Sequence, residues 1–310
     1  MNSFRGKILI IRGGAIGDFI LTLPAIAALR REFPEARLEI LGYPHIVKLA
    51  VAGGLADHAE SIEARALAGF FAHGGELAED LADYLSEFDL IVSYLYDPDA
   101  IFRDNVARCT RAQFIQGPHR PDERSAVPAS QVYLKPLERL AIFDADPVPR
   151  LKLEPASAQA AGATLGLHPG SGSERKNWPE SNWADLLQRV SNATELNLLV
   201  VGGEAEGQRL QRLAAALPPT RTRVAQSLPL DQLARALARC DVFVGHDSGI
   251  SHLAAAVGLQ VLILWGNSTA EVWRPLSEKV ILLRHPLGLS NLPVDEVVQE
   301  LARQGHFANR

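Results

Sequence analysis

The sequence predicts an α/β protein built from two parallel-sheet domains. Short apolar runs rich in β-branched residues alternate with helical patterns along the chain. Several of those runs end in small, glycine-bearing turns, where open parallel sheets carry their ligands. A proline-bearing stretch of weak periodicity, residues 144–155, interrupts the alternation. It divides the 310 residues into an N-terminal domain of 1–150 and a C-terminal domain of 151–310.

Composition narrows the function. Hydrophobic residues make up 47%, enough for two cores. A net charge of −5 and a pI near 6.0 argue against nucleic-acid or general membrane-surface binding. Cys109 and Cys240 stand far apart and in no metal spacing. That predicts a reduced, cytoplasmic protein without a zinc site or disulfide framework. The first apolar run is cut short by Arg12, and no run reaches membrane length.

In the first half, residues 7–11 read as a buried strand. Gly13-Gly14-Ala15-Ile16-Gly17-Asp18 follows as a glycine-rich turn, and 19–31 as a helix in which Pro24 sets the first turn or makes a kink. The opening resembles a dinucleotide-binding unit, but Arg12 occupies the place of the first glycine. The next strand, 37–41, ends in Gly42-Tyr43-Pro44 without an acid for a ribose. Asp18 puts a negative charge where a pyrophosphate would lie. Asp18 has two readings: a carboxylate that caps its helix, worth roughly 0.3–1 kcal/mol, or a chemical group left open to a cleft by its glycines. Helical patterns at 44–52 and 76–86 and a strand at 89–95 continue the alternation. Asp97-Pro98-Asp99 and Asp144-Ala145-Asp146 match a D-x-D metal motif. So short a pattern arises easily by chance, and its proline and loop context favours turns.

In the second half, a strand at 163–168 enters His168-Pro169-Gly170-Ser171-Gly172-Ser173, a turn rich in N–H and hydroxyl donors. Lys176 comes just after it, placed to meet a phosphate, and a helix starts near 182. The strand at 196–201 runs into Gly202-Gly203-Glu204-Ala205-Glu206, whose acids either take both hydroxyls of a ribose or favour a helix start. A helix at 230–240 leads to a strand at 241–245. His246-Asp247-Ser248-Gly249 breaks that strand, and a helix resumes at 253–257 with Gly258 as its cap. A strand turning through Asp-Ser-Gly into a helix makes an anion site, or an ordinary strand–turn–helix. Strands at 260–265 and 279–283 and a helix at 294–303 close the chain. His168 and His252 are acid–base candidates by type alone; His252 lies in an apolar helix, where packing is the commoner role.

With these pieces assembled, the chain resembles the family 9 glycosyltransferases, the ADP-heptose:lipopolysaccharide heptosyltransferase family. The resemblance rests on Arg12-Gly13-Gly14-Ala15-Ile16-Gly17-Asp18 with Leu23-Pro24-Ala25, and on His168-Pro169-Gly170-Ser171 with Lys176-x-Trp178-Pro179. It rests also on Gly202-Gly203 with its acids and on Asp247-Ser248-Gly249-x-x-His252-Leu253-Ala254-Ala255-Ala256. It implies the GT-B arrangement, two Rossmann-like domains facing a central cleft, with the acceptor on the first and the nucleotide-sugar donor on the second. It implies metal-free, cofactor-free inverting transfer of a sugar. Asp18 is the implied catalytic residue. Lys176, Glu206, Asp247, Ser248 and Gly249 bind the donor, with Glu206 suiting the ribose better than Glu204. Gly13, Gly14, Gly17 and Ser171 form turns lining the cleft. The implied partners are an ADP-sugar and a glycan or lipid-linked glycan acceptor, with transient contact with the inner membrane surface. One departure falls on the acceptor side. Many members carry an aspartate in the strand at 89–95, where this chain has Ser93 and then Tyr94-Leu95-Tyr96. Two other classes compete: a nucleotide-sugar epimerase or other Rossmann-type nucleotide-binding enzyme, and a non-catalytic sugar-nucleotide-binding protein.

Overall fold

The computed structural model describes residues 4–63, 65–153, 162–203 and 206–305. The chain divides into two compact units, Met1–Lys152 and Leu153–Arg310. Each is a parallel sheet with helices between its strands.

The first unit runs β1 (Lys7–Arg12), α1 (Ile16–Glu32), β2 (Arg37–Gly42), α2 (Pro44–Ala52) and β3 (His58–Ser61). It continues with α3 (Glu79–Ser86), β4 (Leu90–Ser93), α4 (Ile101–Val106), β5 (Gln113–Gln116) and α5 (Ala129–Leu134). Its strand order is β3-β2-β1-β4-β5. The chain moves outward from β1 to β3 and then returns beside β1 as β4, so the order reverses between β1 and β4. β1 reads as a continuous apolar run because helices cover both faces of a parallel sheet. α1 starts at Ile16, earlier than the sequence pattern suggests, so Gly17 belongs to the first turn of the helix and not to the preceding loop. Pro24 sits inside α1 and leaves one carbonyl of the preceding turn without its helical donor. Burial from Phe19 through Ile26 offsets that loss.

The second unit runs β6 (Thr164–His168), α6 (Glu180–Ala193), β7 (Asn197–Gly202), α7 (Gly207–Ala215), β8 (Thr222–Gln226) and α8 (Leu230–Leu237). It continues with β9 (Val242–His246), α9 (Gly249–Ala256), β10 (Gln260–Leu264), α10 (Ala270–Trp273), β11 (Val280–Leu283) and α11 (Val294–Arg303). The order is β11-β10-β9-β6-β7-β8, reversing between β6 and β9. α9 begins at Gly249, four residues before its apolar run. Ser248 caps it, its hydroxyl accepting the Ser251 N–H. Trp178 and Trp183 meet edge to face at 5.5 Å in the core beneath β6 and β7, and the Trp178 indole donates to the Leu292 carbonyl.

Among the described residues, no helix is long and apolar enough to cross a membrane. Cys109 and Cys240 are free thiols, and burial pushes Cys240 up to about 12.

Candidate active site

The predicted site residues sit in the loops and first helical turns that follow the C-terminal ends of β1, β6, β7 and β9, and three of those four strands border a reversal of strand order. Open α/β sheets bind ligands there because the diverging connections leave a crevice.

On the first sheet, the turn after β1 needs glycine at Gly14, where φ is +101°. A Cβ there would lie 3.1 Å from the Asp18 carboxylate, which folds back over the turn. Asp18 is the third residue of α1, and its Oδ2 accepts the N–H of Ala15, the residue before the helix, at 3.1 Å. The capping reading of Asp18 is therefore correct as far as it goes. Capping uses one oxygen; the side chain keeps 29% of its surface exposed, and its other oxygen lies 3.7 Å from Arg12 Nη2.

Arg12 is 3% exposed. Its guanidinium lies 4.6 Å from the Tyr133 ring and 5.9 Å from the Tyr94 ring. Nη1 donates to the His119 carbonyl at 2.9 Å and to the Tyr94 carbonyl at 3.4 Å, and Nη2 to the Asp18 carbonyl at 3.4 Å. The Tyr94 hydroxyl donates to the Tyr133 carbonyl at 2.6 Å, and burial holds that phenol in its protonated form. Tyr96, 69% exposed, packs its ring 4.5 Å from the ring of His119.

One acid of each D-x-D match holds local backbone. Asp97 accepts the N–H groups of Phe102 and Arg103 at the start of α4. Asp146 accepts the Val148 N–H and pairs with Arg150. Among the described residues, no group of three His, Cys, Asp or Glu side chains is arranged to hold a metal ion.

On the second sheet, loops after β6, β7, β9 and β10 converge. Lys176 Nζ lies 2.8 Å from Asp247 Oδ2, and the Ser268 hydroxyl donates to the same oxygen at 2.5 Å. Asp247 keeps only 10% of its side-chain surface exposed whereas Lys176 keeps 44%, so the carboxylate is the anchor and the ammonium the exposed group. Ser248 Oγ is 3.4 Å from His168 Nδ1. Gly249 opens α9, where the first N–H groups have no carbonyl within the helix and the dipole favours an anion. Glu206 Oε2 accepts the Gly203 N–H at 2.9 Å. The stem of Glu206 lies so close to Gly170 that a Cβ there would come within 2.4 Å of it. Gly170 is therefore glycine because the carboxylate arm from β7 crosses its face. Ser171 bonds within its own turn, to the Ser173 carbonyl. Glu204 lies outside the described residues.

The sequence reading missed His246 as the organiser of this site. Its Nε2 accepts the Trp178 N–H at 2.8 Å, so its Nδ1 carries the proton and donates to the Gly170 carbonyl at 3.0 Å. One imidazole thus ties both ends of the β6 loop to the end of β9. The signal was its place as the last residue of a buried strand.

His168 and His246 are both buried and neutral. Burial pushes His168 down to about 3, helped by His246, and His246 down to about 4. An unfolded chain takes up these protons near pH 6.5, before the folded protein can. Stability from these groups is full above that pH and is lost as pH falls toward 4. The loss is on the order of 3 kcal/mol for each histidine by pH 4. Urea unfolding followed at pH 7, 6, 5 and 4 should show a steadily falling midpoint; an unchanged midpoint down to pH 4.5 would contradict the buried, neutral assignment.

Two Rossmann-type parallel sheets in succession, each reversing its strand order once, are the architecture of the glycosyltransferase class with the GT-B fold. Residues 143–294 match glycosyltransferase family 9 (heptosyltransferase). A Haemophilus influenzae protein provisionally named a glycosyltransferase is 23% identical over 96% of each chain. The lipopolysaccharide heptosyltransferase 1 of Pseudomonas aeruginosa is 34% identical over 42% of this chain, a match spanning 32% of that protein. The structure of Escherichia coli ADP-heptose lipopolysaccharide heptosyltransferase II superposes with a TM-score of 0.78, covering 96% of this chain and 98% of its own at 19% identity. Residues 143–294 belong to glycosyltransferase family 9.

Proposed function

We propose that the protein is an inverting glycosyltransferase that moves a heptose from ADP-heptose to a lipopolysaccharide-core or related glycan acceptor. The observation that carries the donor side is the Lys176–Asp247 pair beside the Ser248-capped start of α9, at the β6/β9 reversal. An exposed ammonium, the positive end of a helix and a hydroxyl close together suit a diphosphate. Glu206, held by the Gly203 N–H, has a second oxygen for the ribose diol. The names of the similar proteins, a lipopolysaccharide heptosyltransferase 1 and an ADP-heptose lipopolysaccharide heptosyltransferase II, support the choice of ADP-heptose and a lipopolysaccharide acceptor.

In the proposed reaction, an acceptor hydroxyl attacks the anomeric carbon while ADP leaves from the opposite face. Asp18 takes the hydroxyl proton as the new bond forms. Lys176 and the α9 terminus stabilise the charge that grows on the leaving diphosphate. The test is incubation with ADP-heptose and heptose-free core lipopolysaccharide, reading ADP release, acceptor mass and the anomeric configuration of the new linkage. No ADP release, or a retained configuration, would refute the proposal. Because this scheme assigns leaving-group stabilisation to Lys176 and backbone N–H groups, activity should survive excess EDTA. Loss in EDTA with rescue by Mg²⁺ or Mn²⁺ would show that a metal does that work.

A further inference from the structure

Arg12 is buried where a stability argument alone gives little reason for a charge. Taking a guanidinium out of water costs several kcal/mol, which a nearby ion pair repays only with good geometry. Here the carboxylate is 3.7 Å away and itself 29% exposed, and Arg12 Nε is buried with no hydrogen-bond partner among the described residues. What the guanidinium does is join three separate segments. It reaches Asp18 at the head of α1, the Tyr94 carbonyl just past β4 and the His119 carbonyl in the loop after β5. The Tyr133 ring from α5 lies against it. A planar fork of fixed donors can hold several acceptors at set angles; a lysine ammonium on a flexible stem cannot.

We propose that Arg12 is a positioning residue for sugar transfer. It aims the Asp18 carboxylate, and through the same guanidinium it fixes the His119 loop, and with it the Tyr96–His119 ring pair, relative to that carboxylate. The inference rests on the reading of Asp18 as the base. Asp18 is held from two sides: the Ala15 N–H fixes one oxygen, and Arg12 sets where the other points.

The test is a double-mutant cycle of wild type, Arg12→Lys, Asp18→Asn and the double variant. ADP release is assayed with ADP-heptose and heptose-free core lipopolysaccharide, with ADP affinity and thermal melting measured alongside. Arg12→Lys should lower kcat about 10- to 100-fold, the effect of a reacting group displaced by about an ångström. ADP affinity and the KM for ADP-heptose should stay within about twofold. In the Asp18→Asn background the same exchange should change the residual rate less than about threefold, because no carboxylate is left to aim. An equal loss in both backgrounds would overturn the inference, since a general structural defect acts whether or not the base is present. If Arg12→Lys does not fold, Arg12→Ala with added guanidinium takes its place. Rescue by guanidinium but not by methylammonium supports a planar fork; equal rescue by both, or none, overturns it. A wild-type protein that releases no ADP refutes the transfer reading itself, whereas an active wild type with an additive cycle refutes only the role of Arg12.

Discussion

Asp18→Asn should fold, bind ADP with unchanged affinity and lose about 10²–10⁴ in turnover, the usual contribution of a general base. The substitution separates the two roles that the structure gives this side chain. An asparagine oxygen can still accept the Ala15 N–H, now made at 3.1 Å, so the helix start survives. The amide cannot take a proton from an acceptor hydroxyl. Its NH₂ also cannot accept from Arg12, which lies 3.7 Å from the present carboxylate. Donor binding is unaffected in the proposal because the donor contacts come from the second unit. Three measurements check this: a thermal melt, ADP calorimetry and the steady-state rate with ADP-heptose and core lipopolysaccharide. A melt lowered by more than a few degrees would mean that the cap carries the residue's importance. Near-normal turnover would mean that Asp18 is only a cap.

The central strands were legible because a parallel sheet covered on both faces forces uninterrupted apolar runs such as KILIIR in β1 and VFVGH in β9. The edges were not. β3 (HAES), β5 (QFIQ) and β8 (TRVAQ) lie at sheet margins, where polar residues face solvent and discourage pairing with other chains. Helix starts were read late at α1 and α9, since Ile16-Gly17-Asp18 and Gly249-Ile250-Ser251 look like turn residues; the caps at Ala15 and Ser248 decide the matter. The candidate site was legible wherever small residues mark a turn. What escaped was the packing of long side chains from distant segments. His246 joins residues 170 and 178, and Arg12 joins residues 18, 94 and 119. Spacing along a chain carries no trace of such contacts.

The Lys176–Asp247 pair gives the second large expected effect. Lys176→Ala should weaken ADP binding by about 1.5–3 kcal/mol, roughly 10- to 150-fold in Kd, the range for hydrogen bonds to charged groups. The environment pushes the loss toward the upper end. Asp247 now shares its Oδ2 between the lysine at 2.8 Å and the Ser268 hydroxyl at 2.5 Å. Without the ammonium, that carboxylate stands against the incoming diphosphate with only a hydroxyl to offset it. The variant therefore loses an attraction and uncovers a repulsion. The two parts separate in the double variant. Lys176→Ala/Asp247→Asn removes the repulsion while the lysine is still missing, so it should bind ADP more tightly than Lys176→Ala alone and less tightly than wild type. Asp247→Asn alone should weaken binding modestly, because the lysine keeps its charge but loses its anchor. Calorimetry at low salt and again at higher ionic strength checks the electrostatic origin. The penalty of the single lysine variant should shrink as salt screens it. ADP affinity unchanged in Lys176→Ala would remove this lysine from the donor site. A double variant no better than the single one would show that Asp247 serves Ser268 and the fold, and has no part in the charge balance around the phosphates.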